Sequence, residues 1–140
     1  MYENCEIEQV LDPAVVAADA NCSSVDLQGY ECVTFFALIG EGGVTLGTGV
    51  TIEVEVEESD DDSSFTDVAD ADLSNYVDGT NDGCMAFLDA LAEEDSVYTT
   101  TYRGNKRYVR PVLNFTGTHG TGTAIGIVAV KQGYKYPPVG

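Results

Sequence analysis

An acidic run at residues 57–62 is the densest group of possible metal ligands in the sequence. It places five carboxylates in six positions: Glu57, Glu58, Asp60, Asp61 and Asp62. Calcium prefers such oxygen ligands, but the run lacks the alternating Asp or Asn positions and the glycine of a calcium-binding loop. We therefore interpret it as a solvated turn at the tip of a hairpin and assign no metal site. Calcium binding at residues 60–62 is the alternative.

The single histidine, His119, lies in a glycine- and threonine-rich segment at residues 117–123. This segment has neither the G-x-G-x-x-G nor the G-x-x-x-x-G-K-[ST] spacing, so it predicts no phosphate site. No G-x-S-x-G motif offers a serine nucleophile. We interpret the segment as a hairpin loop with His119 at the surface or an interface. We predict a protein that is not an enzyme, with no catalytic residue and no cofactor.

Four cysteines could bind zinc or form disulfides. Cys5, Cys22, Cys32 and Cys84 are 17, 10 and 52 positions apart and lack the C-x-x-C pair of a zinc site. The first residues lack the cationic stretch and apolar block of a secretory signal, so we expect synthesis in a reducing cytoplasm and free, buried thiols. Disulfide formation in an oxidising medium is the alternative.

The charged residues are sorted along the chain. All 24 acidic residues precede position 96 and all six basic residues follow position 102, so the first 102 residues carry −24 and the remainder +6. The net charge of −18 predicts that the protein binds neither nucleic acid nor anionic membranes and instead docks on a protein. Alternatively, the carboxylates only keep the chain soluble and monomeric.

The basic residues that could anchor such docking concentrate in one segment. Arg103, Lys106, Arg107 and Arg110 place four cations in eight residues. Strand alternation would put Lys106 and Arg110 on one face and Arg107 on the other. An acidic protein surface suits this cluster better than nucleic acid does. The alternative is that these cations neutralise the chain's own carboxylates.

Apolar patterns predict the strands that position these residues. Positions 50–56 alternate Val or Ile with Thr or Glu, which predicts a strand with a core face and a carboxylate face in solvent or at an interface. Residues 32–39 are almost continuously apolar and predict a central strand that is buried on both faces. Residues 98–102, 108–115 and 124–130 predict further strands, and Pro111 indicates an edge or a bulge.

Frequent turn signals between short strands indicate an all-β, single-domain antiparallel β-sandwich or barrel, jelly-roll-like, with at most one or two short helices. Residues 13–20 and 84–94 are the helix candidates, and the second also fits a strand and a turn. We expect one domain over residues 1–140, with 1–24 a possible N-terminal arm and 132–140 an extended C-terminal tail. No apolar run is long enough to span a membrane.

Three segments, residues 57–68, 102–111 and 116–123, resemble small proteins encoded in the head gene clusters of tailed bacteriophages. The chain is similar to capsid decoration, or cement, proteins over about residues 25–138. The resemblance implies a non-enzymatic β-rich protein, made in the host bacterial cytoplasm, that binds the exterior of the virion capsid. It further implies contacts that staple neighbouring major capsid protein subunits, and assembly as a dimer or trimer on the shell.

The expected capsid interface consists of basic and tyrosine residues of the last 38 positions: Arg103, Lys106, Arg107, Arg110, Lys131, Tyr134, Lys135 and Tyr136. A carbohydrate-binding module that attaches to a host or surface glycan is the alternative function. Residues 59–68 and 106–110 also resemble hairpins of galactose-binding-like sandwiches, and the eight tyrosines could stack on sugars. The absence of tryptophan counts against it.

Overall fold

The computed structural model describes residues 5–134, which form ten β-strands and two single-turn 3-10 helices. The 3-10 helices are Asp70–Asp72 and Leu91–Glu93. The strands are β1 (Cys5–Val16), β2 (Ala20–Asn21), β3 (Val25–Asp26), β4 (Tyr30–Gly42), β5 (Thr51–Ser59), β6 (Thr66–Asp67), β7 (Cys84–Leu88), β8 (Ser96–Tyr102), β9 (Tyr108–Thr116) and β10 (Thr123–Tyr134). The predicted all-β fold is confirmed. Over the described residues, no helix is long and apolar enough to cross a membrane.

The strands form two antiparallel sheets. One has four strands in the order β1-β10-β4-β8, and the other has six, in which β9 and β5 are central. In the second sheet β2 and β3 pair with β9, while β6 and β7 pair with β5. Strands adjacent in sequence thus often lie in different sheets, which is typical of a β-sandwich.

The core lies between the two sheets. Val33 and Phe35 of β4 pack in one apolar cluster with Ile52 and Val54 of β5 and Leu113 of β9, and all five side chains are fully buried. Burial of each such side chain stabilises the fold by about 1.5–3 kcal/mol. Alternation along β4 and β5 thus fixes which face of each sheet points inward.

The segment interpreted as a possible N-terminal arm contributes to both sheets. β1 pairs with β10 from Cys5 opposite Gln132 to Val16 opposite Thr123, and β2 pairs with β9. Val10 is buried in the core, although the residues around it are mostly polar. Residues 132–134 of the expected C-terminal tail continue β10, and residues 135–140 lie outside the described part of the chain.

Several local predictions were wrong in detail. The strand at residues 32–39 is central, as predicted, but it is buried on one face only, because Leu38 is 46% exposed. Residues 13–16 belong to β1 and not to a helix, whereas residues 84–94 form β7 and a 3-10 turn, which confirms the strand-and-turn alternative for that segment. The segment at residues 117–123 is not a hairpin loop, because it links β9 in one sheet to β10 in the other.

Pro111 lies inside β9 without breaking the sheet. It is opposite Val56 of β5, and its carbonyl accepts a hydrogen bond from the Cys22 amide at 3.0 Å. In an antiparallel strand a residue's nitrogen and carbonyl point to the same side. The missing N–H of Pro111 therefore points to the interruption between β2 and β3, where the ladder already ends, although β9 is a central strand and not the predicted edge or bulge.

Candidate docking surface

The outward side of the four-stranded sheet carries uncharged side chains. Because directly opposed residues of antiparallel strands share a face, the register aligns rows such as Ile7–Val130–Thr34–Thr101 and Gln9–Val128–Phe36–Thr99. We call this surface the neutral face. Its members are Cys5, Ile7, Gln9 and Val15 of β1, Cys32, Thr34, Phe36 and Leu38 of β4, Val97, Thr99 and Thr101 of β8, and Ala124, Val128, Val130 and Gln132 of β10.

Exposed apolar area is concentrated on the neutral face. Ile7, Val15, Leu38 and Val97 are 52%, 66%, 46% and 58% exposed. The opposite faces of the same strands turn Val33, Phe35, Ile125 and Ile127 into the core. Isolated exposed apolar residues are ordinary, but a contiguous apolar patch marks a surface for interaction. On a chain with net charge −18, this uncharged surface is the best candidate for protein docking.

One end of the neutral face is hollowed into an open groove of about 700 Å³. It is lined by small residues of β4 and β10, among them Gly40 and Ala124, and by the larger side chains of Val15, Leu38 and Val97. Two irregularities in the pairing of β1, between Gln9 and Leu11 and between Leu11 and Ala14, lie beside it. β-Bulges of this kind commonly re-aim side chains next to functional sites.

Charged groups lie at the ends of the neutral face and not within it. Asp95 lines the groove, is exposed, and has a left-handed backbone with φ of 52°. Asp12 accepts a hydrogen bond from the Gln9 side chain. At the other end Arg103 lies close enough to Cys32 to oppose, by its charge, the rise that burial causes in the pKa of that thiol. The groove end of the face is therefore acidic, whereas the other end has both Arg103 and Glu31 beside Cys32.

The outer side of the six-stranded sheet differs from the neutral face because a loop covers it. The prediction that the carboxylates of β5 face solvent or an interface was wrong for Glu53 and Glu55, which are 3% and 2% exposed. Thr80 donates to Glu53 from its backbone N–H at 2.6 Å and from its hydroxyl at 2.8 Å. Asn81 donates to Glu55 at 3.4 Å. This side is thus a covered polar layer and not a docking surface.

Burial raises the pKa of Glu55, and the nearby carboxylates of Glu53 and Asp67 raise it further, although hydrogen bonds from Asn114 and Asn81 oppose this. A folded-state pKa above the ordinary value of 4.5 means that ionisation of Glu55 destabilises the fold as pH rises from about 4.5 through the folded pKa. Burial of the Glu55 carboxyl therefore lowers the stability of the fold at neutral pH.

Glu55→Gln is accordingly expected to raise the melting temperature at pH 7 by about 2–5 °C. The difference from wild type should shrink as pH falls below 4.5, where Glu55 is protonated in both states. Thermal unfolding followed by circular dichroism checks this, with Glu41→Gln at an exposed position as the control. A lower melting temperature for Glu55→Gln at pH 7 would contradict the assignment.

Three cations of the basic segment at residues 103–110 pair with carboxylates of the same chain. Lys106 contacts Asp60 at 2.8 Å, and Arg107 makes two hydrogen bonds of 2.9 Å to Asp26. The hydrogen bonds from Arg107 hold the pKa of Asp26 below its ordinary value.

Arg110, the third, contacts Glu57 at 2.8 Å and lies 3.9 Å above the Phe65 ring. Its side chain and that of Glu57 are each about four-fifths buried. Together with the pairs of Lys106 and Arg107, this geometry favours the alternative that the cluster neutralises the chain's own acidic residues.

Lys131 is also placed differently from the other predicted interface residues, because its side chain is only 9% exposed. Its ammonium contacts Glu8 at 2.9 Å and Glu6 at 3.5 Å, and it lies 4.6 Å above the Tyr30 ring. A hydrogen bond from the Tyr30 hydroxyl is the largest cause that lowers the pKa of Glu6, and the charge of Lys131 lowers it further. Lys131 therefore closes one end of the core and is not available to a partner.

Four predicted interface residues remain: Arg103, Tyr134, Lys135 and Tyr136. Arg103 is exposed at the end of the neutral face, and within residues 5–134 no carboxylate lies within ion-pair distance of it. Tyr134 ends β10. Lys135 and Tyr136 lie outside the described residues. Arg103 is thus the member of the predicted set that coincides with the candidate docking surface.

The histidine and the acidic turn, which could serve catalysis or metal binding, have structural partners instead. His119 is 3% exposed, in contrast to the predicted surface position, with Nε2 2.8 Å from the Thr116 carbonyl and its ring 4.7 Å from that of Phe115. Asp61 accepts hydrogen bonds from the amides of Ser63 and Ser64, which closes the acidic turn. Within the described ranges, no cluster of three or more His, Cys, Asp or Glu could hold a metal.

Three of the cysteine thiols, those of Cys22, Cys32 and Cys84, are poor nucleophiles. Cys22 and Cys84 are buried, and burial raises the pKa of each thiol to about 12. Burial also raises the pKa of Cys32. Because the thiolate is the reactive form, these side chains are unreactive at neutral pH.

Sequence reasoning missed the neutral face, although a signal was present. Three segments, residues 32–40, 96–102 and 120–130, contain no charged residue. Strands that are uncharged at both alternating positions are either buried on both faces or present a neutral surface. Only the pairing of β1, β10, β4 and β8 into one sheet with an uncovered side distinguishes these two cases.

Comparison with known proteins gives no family assignment. No protein-family model matches the chain. No curated protein matches it.

Among solved structures, the chain is similar to the CBM22-1–GH10 modules of Clostridium thermocellum xylanase 10B, solved with xylohexaose, at 16% identity and a TM-score of 0.41. The match covers 83% of this chain and 19% of that one. The chain is also similar to a structure of infectious bursal disease virus, Gx strain, at 14% identity and a TM-score of 0.42, covering 95% of this chain and 33% of that one. The chain thus spans a fifth to a third of these structures, and neither likeness supports a functional argument.

Proposed function

We propose that this protein is a non-enzymatic decoration protein that docks through its neutral face on the exterior of an assembled bacteriophage capsid. The observation that carries the proposal is an uncharged apolar sheet face on a chain with net charge −18. The identity of the partner, the major capsid protein, rests on the resemblance of residues 57–68, 102–111 and 116–123 to phage decoration proteins.

The two sides of the sandwich suit the two environments of a protein on a virion surface. The neutral face offers Ile7, Val15, Leu38 and Val97 for burial against a shell. The loops on the other side carry exposed acids, including Asp60 and Asp62, which favour solvation and oppose aggregation. Docking through the neutral face would leave this acidic side in solvent.

The alternative function, a carbohydrate-binding module, has less support from the described side chains. Sugar-binding faces rely on exposed aromatic rings that also hydrogen-bond. The neutral face presents mainly aliphatic and threonine side chains, and its one aromatic residue among the described members, Phe36, is partly buried. Tyr76 is 52% exposed but lies in the loop between β6 and β7.

Co-sedimentation with assembled empty shells of the major capsid protein encoded in the same gene cluster tests the proposed function. We expect the wild-type protein to pellet with shells and to remain in the supernatant with unassembled capsid protein, because stapling requires a surface made by several subunits. Equal affinity for both forms would contradict the decoration function. Binding to a galactose-containing polysaccharide without binding to shells would support the carbohydrate alternative.

A further inference from the structure

We propose that the groove in the neutral face binds an extended, apolar segment of the partner that carries a lysine or arginine, and that Asp95 pairs with this cation. This inference rests on the proposed function and specifies the chemistry of the partner surface. It concerns one end of the neutral face only, and the rest of the face is a flatter contact.

The shape of the groove favours an inserted segment over a flat contact. Gly40 and Ala124 place no large side chain in its lining, and the Pro13 ring lies against Gly126. Leu38 and Val97, which are paired neighbours on β4 and β8, also line it. At about 700 Å³, the groove is within the size range of pockets that bury a drug-sized ligand, which corresponds to a short peptide.

The charge of the groove indicates the partner's charge. Among the described residues that line it, Asp95 is the only charged one, and the others are mainly aliphatic. Asp95 forms no hydrogen bond or ion pair with the described residues, in contrast to Asp26, Glu57 and Asp60, which pair with cations. Its backbone is left-handed, with φ of 52°, two residues after the 3-10 turn at Leu91–Glu93, and its side chain lines the groove.

A second copy of this chain is the less favourable occupant. Two copies would bring together net charges of −18 each, and self-repulsion of this size opposes association. A partner segment with a cation gains a charge pair at Asp95 and is attracted by the whole chain. The groove therefore suits a basic, apolar segment of a different protein.

Asp95→Asn and Ala124→Phe test the inference in binding to assembled shells of the major capsid protein at 50 and 300 mM NaCl. Asp95→Asn should weaken binding about three- to fivefold at 50 mM and less at 300 mM, because salt screens the pair. Ala124 is exposed, so phenylalanine there should fill the groove without disturbing the core and weaken binding at least tenfold. Asp78→Asn, at an exposed acid in the loop that precedes β7, is the matched control.

The outcomes separate this inference from the proposed function. If Asp95→Asn and Ala124→Phe bind like wild type while the double variant Leu38→Glu/Val97→Glu does not bind, the inference is wrong and the decoration function stands. If all these variants bind shells normally, the neutral face is not the docking surface. The inference is also overturned if Asp78→Asn weakens binding equally. Sedimentation velocity of the free protein completes the test, because a dimer that Ala124→Phe dissociates would show that a second copy occupies the groove.

Discussion

Replacing Leu38 and Val97 by glutamate should weaken binding to assembled shells at least a hundredfold. The two residues are paired neighbours on β4 and β8, 46% and 58% exposed, at the centre of the apolar part of the neutral face. In the complex, two carboxylates would be removed from water without a partner, and an uncompensated buried charge costs several kcal/mol. Binding isotherms from co-sedimentation give the ratio of dissociation constants directly.

The free double variant should fold normally, because its glutamates lie in solvent when no shell is present. We expect its melting temperature to stay within a few degrees of wild type. Val77→Glu is the matched control, since Val77 is 42% exposed but lies in the loop between β6 and β7. Loss of binding by Val77→Glu, or full decoration by the double variant, would contradict docking through the neutral face.

Lys131→Ala should destabilise the fold by about 1–3 kcal/mol at pH 7 and lower the melting temperature by roughly 3–12 °C. The substitution leaves Glu6 and Glu8 without the ammonium that contacts them at 3.5 and 2.9 Å. The expected loss is below that of a fully buried pair because Glu6 is 50% and Glu8 34% exposed. Thermal unfolding measures the change.

The pH dependence of this loss follows from Glu6. Its folded-state pKa is lowered, so it contributes stability that is present above the ordinary value of 4.5 and is lost as pH falls through the folded pKa. The gap between wild type and Lys131→Ala should therefore narrow at acidic pH. Arg103→Ala, at an exposed cation, should change stability by less than about 0.5 kcal/mol. Equal melting temperatures for Lys131→Ala and wild type at pH 7 would contradict the structural role of Lys131.

The all-β fold could be predicted from the sequence because its signals are local. Alternation at positions 50–56 and the apolar runs at 32–39 and 124–130 correspond to β5, β4 and β10. Pro111 predicted an edge or a bulge, but β9 is a central strand with an unbroken register to β5, and Pro111 is accommodated opposite the gap between β2 and β3. Such features depend on a residue and its close neighbours, which is the range over which periodicity and turn chemistry act.

The environment of each strand face could not be predicted in the same way. Alternation gave Glu53 and Glu55 an outward direction, but it cannot reveal that Thr80 and Asn81 cover them from a loop about 26 residues away. The sorted charges suggested a basic docking segment, yet Arg107 pairs with Asp26, which lies 81 residues away in the sequence. In a sandwich, strands distant in sequence interleave, so linear charge sorting is largely cancelled in space.

A cryo-electron microscopy reconstruction of assembled shells saturated with the wild-type protein tests most directly whether the protein docks through its neutral face. Docking through the neutral face predicts that β1, β10, β4 and β8 lie against the shell, with Leu38 and Val97 buried and the acidic turn at residues 60–62 in solvent. A reconstruction in which the six-stranded sheet or the segment at residues 103–110 contacts the shell, while Leu38 and Val97 stay exposed, would contradict it.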